Sequence, residues 1–161
     1  MEAIITLGIS ASGKSTLAKV VPYKEINRDD IRFGLAMQGA KGGWKKYKFS
    51  KENENRVTEI ELKMFHDAVA NKEDIIISNT NLNKNIRQQW IDRCIKAGYN
   101  VKIAVLNVPL EVAKERDSSR GEKMVGSGVI ESQFVKFKEA IKDLEKEVKM
   151  FGISLEVIDN G

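Results

Sequence analysis

A glycine-rich octapeptide at residues 8–15 directly follows a short apolar segment and constrains the fold of this chain more than any other feature. Its sequence, GISASGKS, has the spacing of a phosphate-binding P-loop: glycine, four residues, glycine, lysine and serine. Such a loop needs a buried strand before it and a helix after it. The apolar run 3–7 predicts the strand, and residues 14–21 predict the helix.

Each residue type in this loop has a chemical reason. Gly8 and Gly13 allow backbone angles that a side chain would obstruct, so that the loop N–H groups can turn towards phosphate oxygens. Lys14 would bring a positive charge to the β- and γ-phosphates, and Ser15 a hydroxyl ligand to Mg²⁺. The predicted cofactors are therefore ATP and Mg²⁺. The predicted nucleotide-binding residues of the loop are Gly8, Ser10, Ala11, Ser12, Gly13, Lys14, Ser15 and Thr16.

Apolar segments and amphipathic segments alternate along the rest of the chain. Strands are predicted at 3–7, 25–27, 75–78, 101–108 and 153–158, and helices at 14–21, 29–37, 52–71, 83–97, 110–116 and 130–151. In the predicted helix 52–71, Val57, Ile60, Met64 and Ala68 fall on one face. The strands are continuously apolar, which indicates burial on both faces. The predicted fold is α/β, with a five-stranded parallel sheet and helices on both faces, forming one P-loop kinase domain over 1–161.

Composition adds weaker constraints. The only cysteine is Cys94, which excludes an internal disulfide, and no apolar run is long enough to span a bilayer, so we expect a cytoplasmic protein without a membrane partner. The net charge of +4 is weak evidence for nucleic acid. Residues 38–51 hold five lysines with Trp44, Tyr47 and Phe49. Trp44, Lys45 and Lys46 could contact phosphates and bases, or the aromatic rings could pack back onto the protein.

Two further clusters suggest phosphoryl transfer. Asp29 and Arg32 follow the second strand and share one face of a helical turn, where a carboxylate could accept a proton from an acceptor hydroxyl. They could equally be a capping acid and a surface ion pair. Arg116 and Arg120 enter a glycine-rich stretch that could form a mobile lid whose cations neutralise the transferred phosphate, or they could simply stabilise a helix C-terminus.

Four segments in register resemble the phage 5′-polynucleotide kinases: GISASGKST, INRDDIR, ISNTNLN and NVPLEVAKERDSSRG. The resemblance covers residues 1–150, about the whole chain, and is to the kinase half of the bifunctional kinase–phosphatase. It implies transfer of the γ-phosphate of ATP to the 5′-hydroxyl of DNA or RNA in a phage-infected or bacterial cell. The implied roles are general base for Asp29, acceptor phosphate binding for Arg32, stabilisation of the transferred phosphate for Lys14 and Arg120, a place beside ATP for Arg116, and a place near the P-loop and acceptor for Thr80.

The chain departs from that family at three points. Asn79 stands where the family has an aspartate, which puts any metal or lysine contact of that carboxylate in doubt. Ala11 replaces a glycine within the P-loop, and no Asp-x-Asp-x-Thr motif of a phosphatase domain is found.

Two alternative functions stay open. In the first, the acceptor of the phosphate is a modified DNA base, a nucleoside or a small metabolite in place of a 5′-hydroxyl end. A non-catalytic, nucleotide-gated binder of nucleic-acid ends is the second alternative. DNA or RNA, ATP or GTP, and the oligomeric state stay open.

Overall fold

The structure is a computed structural model that describes residues 1–38 and 47–161. Its strands are β1 Glu2–Leu7, β2 Lys24–Ile26, β3 Ile75–Ile77, β4 Asn100–Asn107 and β5 Ser154–Asp159. Its helices are α1 Lys14–Val20, α2 Arg28–Gln38, α3 Lys51–Ala70, α4 Lys84–Lys96, α5 Leu110–Ser118 and α6 Ser127–Phe151. Each predicted element is present, with ends that differ by at most a few residues. No helix within these two ranges is long and apolar enough to cross a membrane.

The five strands form one parallel sheet in the order β2-β3-β1-β4-β5, which confirms the predicted fold class. The pairs Ala3↔Ile75 and Lys24↔Ile75 bring the first three strands of the chain side by side in register. Their carboxyl ends therefore lie at one edge of the sheet, where β2 and β3 end level and β1 continues to Leu7. The P-loop follows β1, the Asp29 segment follows β2, and the Asn79 segment follows β3. This is the edge where ligands bind in sheets of this kind.

Helices cover both faces of the sheet, as predicted. On one face, Phe65 of α3, Trp90 of α4 and Phe137 of α6 pack against alternate residues of the central strands. On the other face, α1 contributes Ala18 to a smaller cluster with Ile76 and its neighbours. Successive residues of β3 belong to opposite clusters because side chains alternate across a strand. The sheet is thus buried from both sides except at β5, most of which is exposed.

The buried face of α3 differs in detail from the predicted one. Its fully buried residues are Val57, Glu61, Phe65 and Ala68, whereas Ile60 and Met64 are half-buried. An acidic residue thus occupies a position that apolar periodicity assigns to a hydrophobic side chain. Burial of Glu61 is possible because its carboxylate is fully engaged in hydrogen bonds, which are described below.

One fully buried ion pair ties the two large helices α4 and α6 together. The Arg87 guanidinium donates to the Glu147 carboxylate with Nη2–Oε1 and Nε–Oε2 distances of 2.7 and 2.9 Å. Its Nη1 donates to the carbonyl oxygen of Asn81, at 3.0 Å, in the segment that follows β3. The pair therefore fixes α6 to the functional edge of the sheet. A buried pair is a weak source of net stability, but loss of one partner leaves an uncompensated charge.

We expect Glu147→Ala to lower the free energy of unfolding by about 3–5 kcal/mol, because it leaves the buried Arg87 guanidinium unpaired. Urea denaturation measures the change. Glu145→Ala is the matched control. Glu145 lies on the same helix, is exposed, and makes only a long contact of 4.0 Å with the exposed Lys149 amine. That control should change stability by less than about 0.5 kcal/mol. Equal losses in the two variants would contradict the assigned role.

Candidate functional site

An open cleft of about 1080 Å³ lies at the carboxyl ends of β1, β2 and β3. The predicted residues that line it are Ser10, Ala11, Gly13, Lys14, Ser15, Thr16, Asp29, Arg32, Thr80, Arg116 and Arg120. Gly8 and Ser12 lie in the same loop and are buried behind its surface. Trp44, Lys45 and Lys46 lie outside the described residues. The fold thus gathers into one cleft residues that are more than 100 positions apart in the sequence.

The P-loop backbone explains its glycines. A Cβ on Gly8 would lie 2.6 Å from Ser12 Oγ and 3.1 Å from Leu106 Cβ. Gly13 has a φ of 104°, and a Cβ there would collide with the Asn160 side chain. Ala11 also adopts a left-handed backbone, with a φ of 62°. This conformation favours glycine, and it gives the physical reason why alanine at this position is a departure from the family pattern.

The Lys14 amine lies against the loop that it follows. Its Nζ donates to the carbonyl oxygens of Ile9 and Gly8 at 2.5 and 3.2 Å. The pKa of Lys14 falls to about 7, mainly because the amine is buried; the nearby Arg120 charge acts in the same direction, and Asp29 partly opposes both effects. Phosphate oxygens at the loop would favour the charged amine. The amine can therefore exchange carbonyl partners for phosphate when a nucleotide binds.

Helix α2 presents the candidate base. Asn27 caps the helix, because its Oδ1 accepts a hydrogen bond from Asp30 N at 2.9 Å. This places Asp29 in the first turn, with its side chain 57% exposed at the cleft. The Asp29 carboxylate accepts from Arg32 Nη1 at 2.8 Å, as their spacing of three residues predicts. The two residues thus act as one oriented unit in the cleft wall.

Glu54 of α3 orients Arg32 from the other side. Its carboxylate accepts from Arg32 Nη2 at 2.6 Å, from Arg32 Nε at 3.0 Å and from the Tyr47 hydroxyl at 2.6 Å. The hydrogen bonds from Arg32 are the main reason why the pKa of Glu54 falls to about 2. Glu54 therefore stays ionised and holds the guanidinium in place. No motif in the sequence singled it out.

The aromatic residues 47 and 49 differ in their surroundings. Tyr47 packs back onto the site through its hydrogen bond to Glu54. Phe49 is 66% exposed and lines the cleft, with the Arg32 guanidinium 5.2 Å from its ring centroid. The described part of the lysine-rich segment therefore adjoins the cleft beside Arg32.

The segment after β3 joins the P-loop to α2. The Gly8 amide donates to the Thr80 carbonyl oxygen at 3.2 Å, so that these two loops are in direct contact. The Asn79 side chain turns towards α2 and α3: its Oδ1 accepts from Arg28 N at 2.8 Å, and its Nδ2 donates to Glu61 at 3.0 Å. Asn79 is thus a link between elements.

The connection between α5 and α6 forms the opposite wall. The buried Asp117 carboxylate accepts from Val125 N and Gly126 N at 3.0 and 2.9 Å, and Arg120 Nη1 lies 3.4 Å from it. Asp117 thereby sets the course of this segment and holds Arg120 at the cleft. In the sequence, only the position of Asp117 between Arg116 and Arg120 hints at this role.

Two amide side chains that sequence reasoning missed contact the P-loop. Asn160 follows β5, and its side-chain Nδ2 donates to the backbone oxygen of Ser12 at 3.1 Å. The backbone carbonyl oxygen of Asn160 accepts from Arg116 Nη2 at 2.6 Å. Gln133 of α6 accepts from Ser10 N at 2.8 Å through Oε1. The position of Asn160 beyond a strand end was a usable signal. Nothing in the sequence marked Gln133.

The donor set fits Mg²⁺ that arrives with a nucleotide. Over residues 1–38 and 47–161 there is no group of three or more histidine, cysteine, aspartate or glutamate side chains that could hold a metal. Ser15 is exposed and lines the cleft beside Lys14. Mg²⁺ in kinase sites takes one or two protein ligands and completes its shell with phosphate oxygens and water. A single serine hydroxyl suits that arrangement.

We expect binding of Mg²⁺-ATP at pH 8 to take up roughly one proton, because Lys14, with a pKa of about 7, is largely neutral until phosphate favours its charged form. The uptake should be small at pH 6, and the affinity should fall as the pH rises above 7. Calorimetry in two buffers of different ionisation enthalpy measures it. Lys14→Arg should bind without uptake. Equal uptake by that variant would assign the proton to another group.

Comparisons with known proteins show the family and the fold of the chain. Residues 4–144 match the model of the family AAA_33, described as an AAA domain. The chain is 31% identical over 143 residues to a protein of Autographa californica nuclear polyhedrosis virus named "Putative bifunctional polynucleotide kinase/RNA ligase". That alignment covers 84% of this chain and 21% of the viral protein. The chain thus spans about a fifth of the length of this relative.

Several solved structures have folds similar to that of this chain. A structure of a Pnkp1/Rnl/Hen1 complex matches with a TM-score of 0.58 and 24% identity, over 71% of this chain and 38% of that one. An AvrRxo1-ORF1:-ORF2 structure with ATP matches with a TM-score of 0.71 and 15% identity, over 99% of this chain and 55% of that one. A gluconokinase from Sinorhizobium meliloti 1021 matches with a TM-score of 0.54 and 18% identity, over 98% of this chain and 82% of that one. At these identities the likeness shows the fold alone.

Proposed function

We propose that this chain, which belongs to the AAA_33 family of AAA domains and is a P-loop kinase, transfers the γ-phosphate of ATP to the 5′-hydroxyl of DNA or RNA. The observation that carries the proposal is the shared cleft of Lys14 and Asp29, in which the phosphate-binding loop and an arginine-oriented carboxylate face the same space. The viral relative, named for a polynucleotide kinase, supports the choice of acceptor.

The proposed mechanism is in-line transfer. The oxygen of the 5′-hydroxyl bonds to the γ-phosphorus while the bond from that phosphorus to ADP breaks, and Asp29 accepts the proton of the hydroxyl. Lys14 and Arg120, which line the cleft, stabilise the charge on the transferred phosphoryl oxygens. Ser15 would hold Mg²⁺, which supplies further charge neutralisation when it is bound. Arg116, next to Asn160 at the cleft, would lie beside the nucleotide.

Two features of the cleft favour a nucleic acid over a small acceptor. Arg32 is oriented by Glu54 and Asp29, and its planar guanidinium suits a phosphate on the acceptor strand. Exposed apolar side chains also line the cleft, and they could contact the faces of a sugar and base. They are Ile86, Met124 and Val129. A small sugar acid would offer them little apolar surface.

We expect Asp29→Ala to lower kcat by about a hundredfold or more, because the hydroxyl loses its proton acceptor, while ATP still binds. Transfer of radiolabelled γ-phosphate to a 5′-hydroxyl oligonucleotide measures kcat, and calorimetry measures ATP binding. Asp30→Ala removes the same charge one residue away in the same cleft and is the matched control. We expect it to stay within about tenfold of the unchanged protein. A near-normal rate for Asp29→Ala would refute the base assignment.

An acceptor panel tests the substrate class. The unchanged protein should label 5′-hydroxyl DNA or RNA oligonucleotides at least about a hundredfold faster, in kcat/KM, than a nucleoside, gluconate or an internal hydroxymethylated base. Arg32→Lys should raise the KM for oligonucleotides, because a lysine lacks the bidentate fork. Preference for any of the small acceptors would overturn the polynucleotide proposal. ATP binding without transfer to any acceptor would favour a nucleotide-gated binding module.

A further inference from the structure

Three hydrogen bonds close a ring among Arg28, Glu61 and Asn79, of which Arg28 and Asn79 line the cleft and Glu61 lies behind them. Arg28 N donates to Asn79 Oδ1 at 2.8 Å, Asn79 Nδ2 donates to Glu61 Oε2 at 3.0 Å, and Arg28 Nη1 donates to Glu61 Oε1 at 2.9 Å. Glu61 is only 4% exposed. The ring joins the first residue of α2, the middle of α3 and the segment after β3.

The ring is anchored to the sheet through residue 79. The backbone carbonyl oxygen of Asn79 accepts from Thr6 Oγ1 at 2.8 Å and from Asn81 Nδ2 at 3.2 Å. Since the Asn79 side chain then accepts from the Arg28 amide, the beginning of α2 is fixed relative to β1 and β3. Asp29 is the next residue along α2. The ring therefore sets the height of the candidate base above the sheet edge.

The ring holds one cation, one anion and one neutral amide. Asn79 must donate to Glu61, and an aspartate at 79 would have no proton for this bond unless one of the two acids were protonated. Two carboxylates at this distance, one of them on the buried Glu61, disfavour double ionisation. Other charged groups nearby include Glu54, which contacts Arg28 at 3.3 Å and is itself paired with Arg32, and Glu25, which accepts from Ser78 Oγ at 2.7 Å.

We propose that Glu61 and Asn79 are a positioning pair that holds Asp29, and that the pair works with one carboxylate and one carboxamide in either arrangement. Glu61 supplies from α3 the negative charge that residue 79 lacks. The inference rests on the proposed function, because its kinetic consequence is read at Asp29. It also gives a physical reason for asparagine at 79: the ring has room for one carboxylate, and here α3 provides it.

A charge swap tests the pair. Asn79→Asp should lower kcat for phosphate transfer by about ten- to a hundredfold at pH 8, with little change in the KM for ATP, because Asp29 is displaced while the P-loop is not. Glu61→Gln should lower kcat by about tenfold, because the Arg28 guanidinium loses its buried ionic partner. The double variant, with both changes, should recover kcat to within about threefold. Glu59→Gln, an exposed acid on the same helix, is the matched control and should be silent.

The pH profile separates this role from a merely structural one. In Asn79→Asp a proton shared between residues 61 and 79 restores the missing donor, so that the ratio of its kcat to that of the unchanged protein should rise from pH 8 to pH 6. The ratio for the double variant should be flat. A double variant as slow as the slower single variant, or a flat ratio for Asn79→Asp, would overturn the proposal.

Hydrogen exchange keeps the pair testable apart from the acceptor. The amide protons at the start of α2 should exchange faster in Asn79→Asp and return to the original rate in the double variant, because the Arg28 amide is a donor of the ring. If the unchanged protein transfers no phosphate to nucleic acid, the proposed function fails, and exchange alone then decides the pair. Unaltered exchange in Asn79→Asp would refute it.

Discussion

The parallel pairing of β1 with β3, and of β3 with β2, is the constraint on which the rest of this molecule depends. The pairs Ile5↔Ile77 and Ile26↔Ile77 bring β2 and β3 to an end at the same level, and β1 continues from there to Leu7. Polar residues follow β2 and β3 at once, and the P-loop follows β1. Because neighbouring strands lie about 4.8 Å apart, these segments must be close neighbours, whatever their separation in sequence. The contact between the Gly8 amide and the Thr80 carbonyl oxygen is a direct result.

The two sides of the cleft are organised differently. On the nucleotide side, the Lys14 amine donates to a backbone carbonyl oxygen, and the Arg120 guanidinium contacts the carboxylate of Asp117. Both side chains can bring positive charge to a phosphate. On the acceptor side, Arg32 is already paired with Glu54 and Asp29. Its guanidinium makes three hydrogen bonds to these two carboxylates. This division suits a reaction in which a polyanion binds on one side and a hydroxyl gives up a proton on the other.

The fold was predictable because its signals are local. A P-loop between an apolar run and a helix fixes the first strand, and continuous apolar segments indicate a parallel sheet. The pair Asp29 and Arg32 was also predictable, since residues three apart on a helix must meet. Pairs such as Arg87 with Glu147, or Asn79 with Glu61, depend on which helices become neighbours, and a single sequence does not contain that information.

A partial signal for the acidic residues of α3 was nevertheless present. Glu54 and Glu61 are seven residues apart and so share one helical face, and the buried Val57, Phe65 and Ala68 fall on or beside it. Acids on an otherwise apolar face require partners, and the arginines of α2 were available. The apolar periodicity instead predicts Ile60 and Met64 on the buried face, because apolar residues normally occupy buried positions.

The arrangement around Asp29 indicates what this residue must contribute to phosphate transfer. The carboxylate is bonded to Arg32, close enough to Lys14 to influence its pKa, and set in place by the ring behind it. In a loose transition state the acceptor oxygen forms little bond before the leaving group departs, so that the proton is removed late. Orientation of the hydroxyl then matters more than the basic strength of the carboxylate. In the proposed reaction Asp29 meets that requirement, because Arg32 holds its carboxylate while Asn79 and the cap of α2 fix the backbone on either side of it.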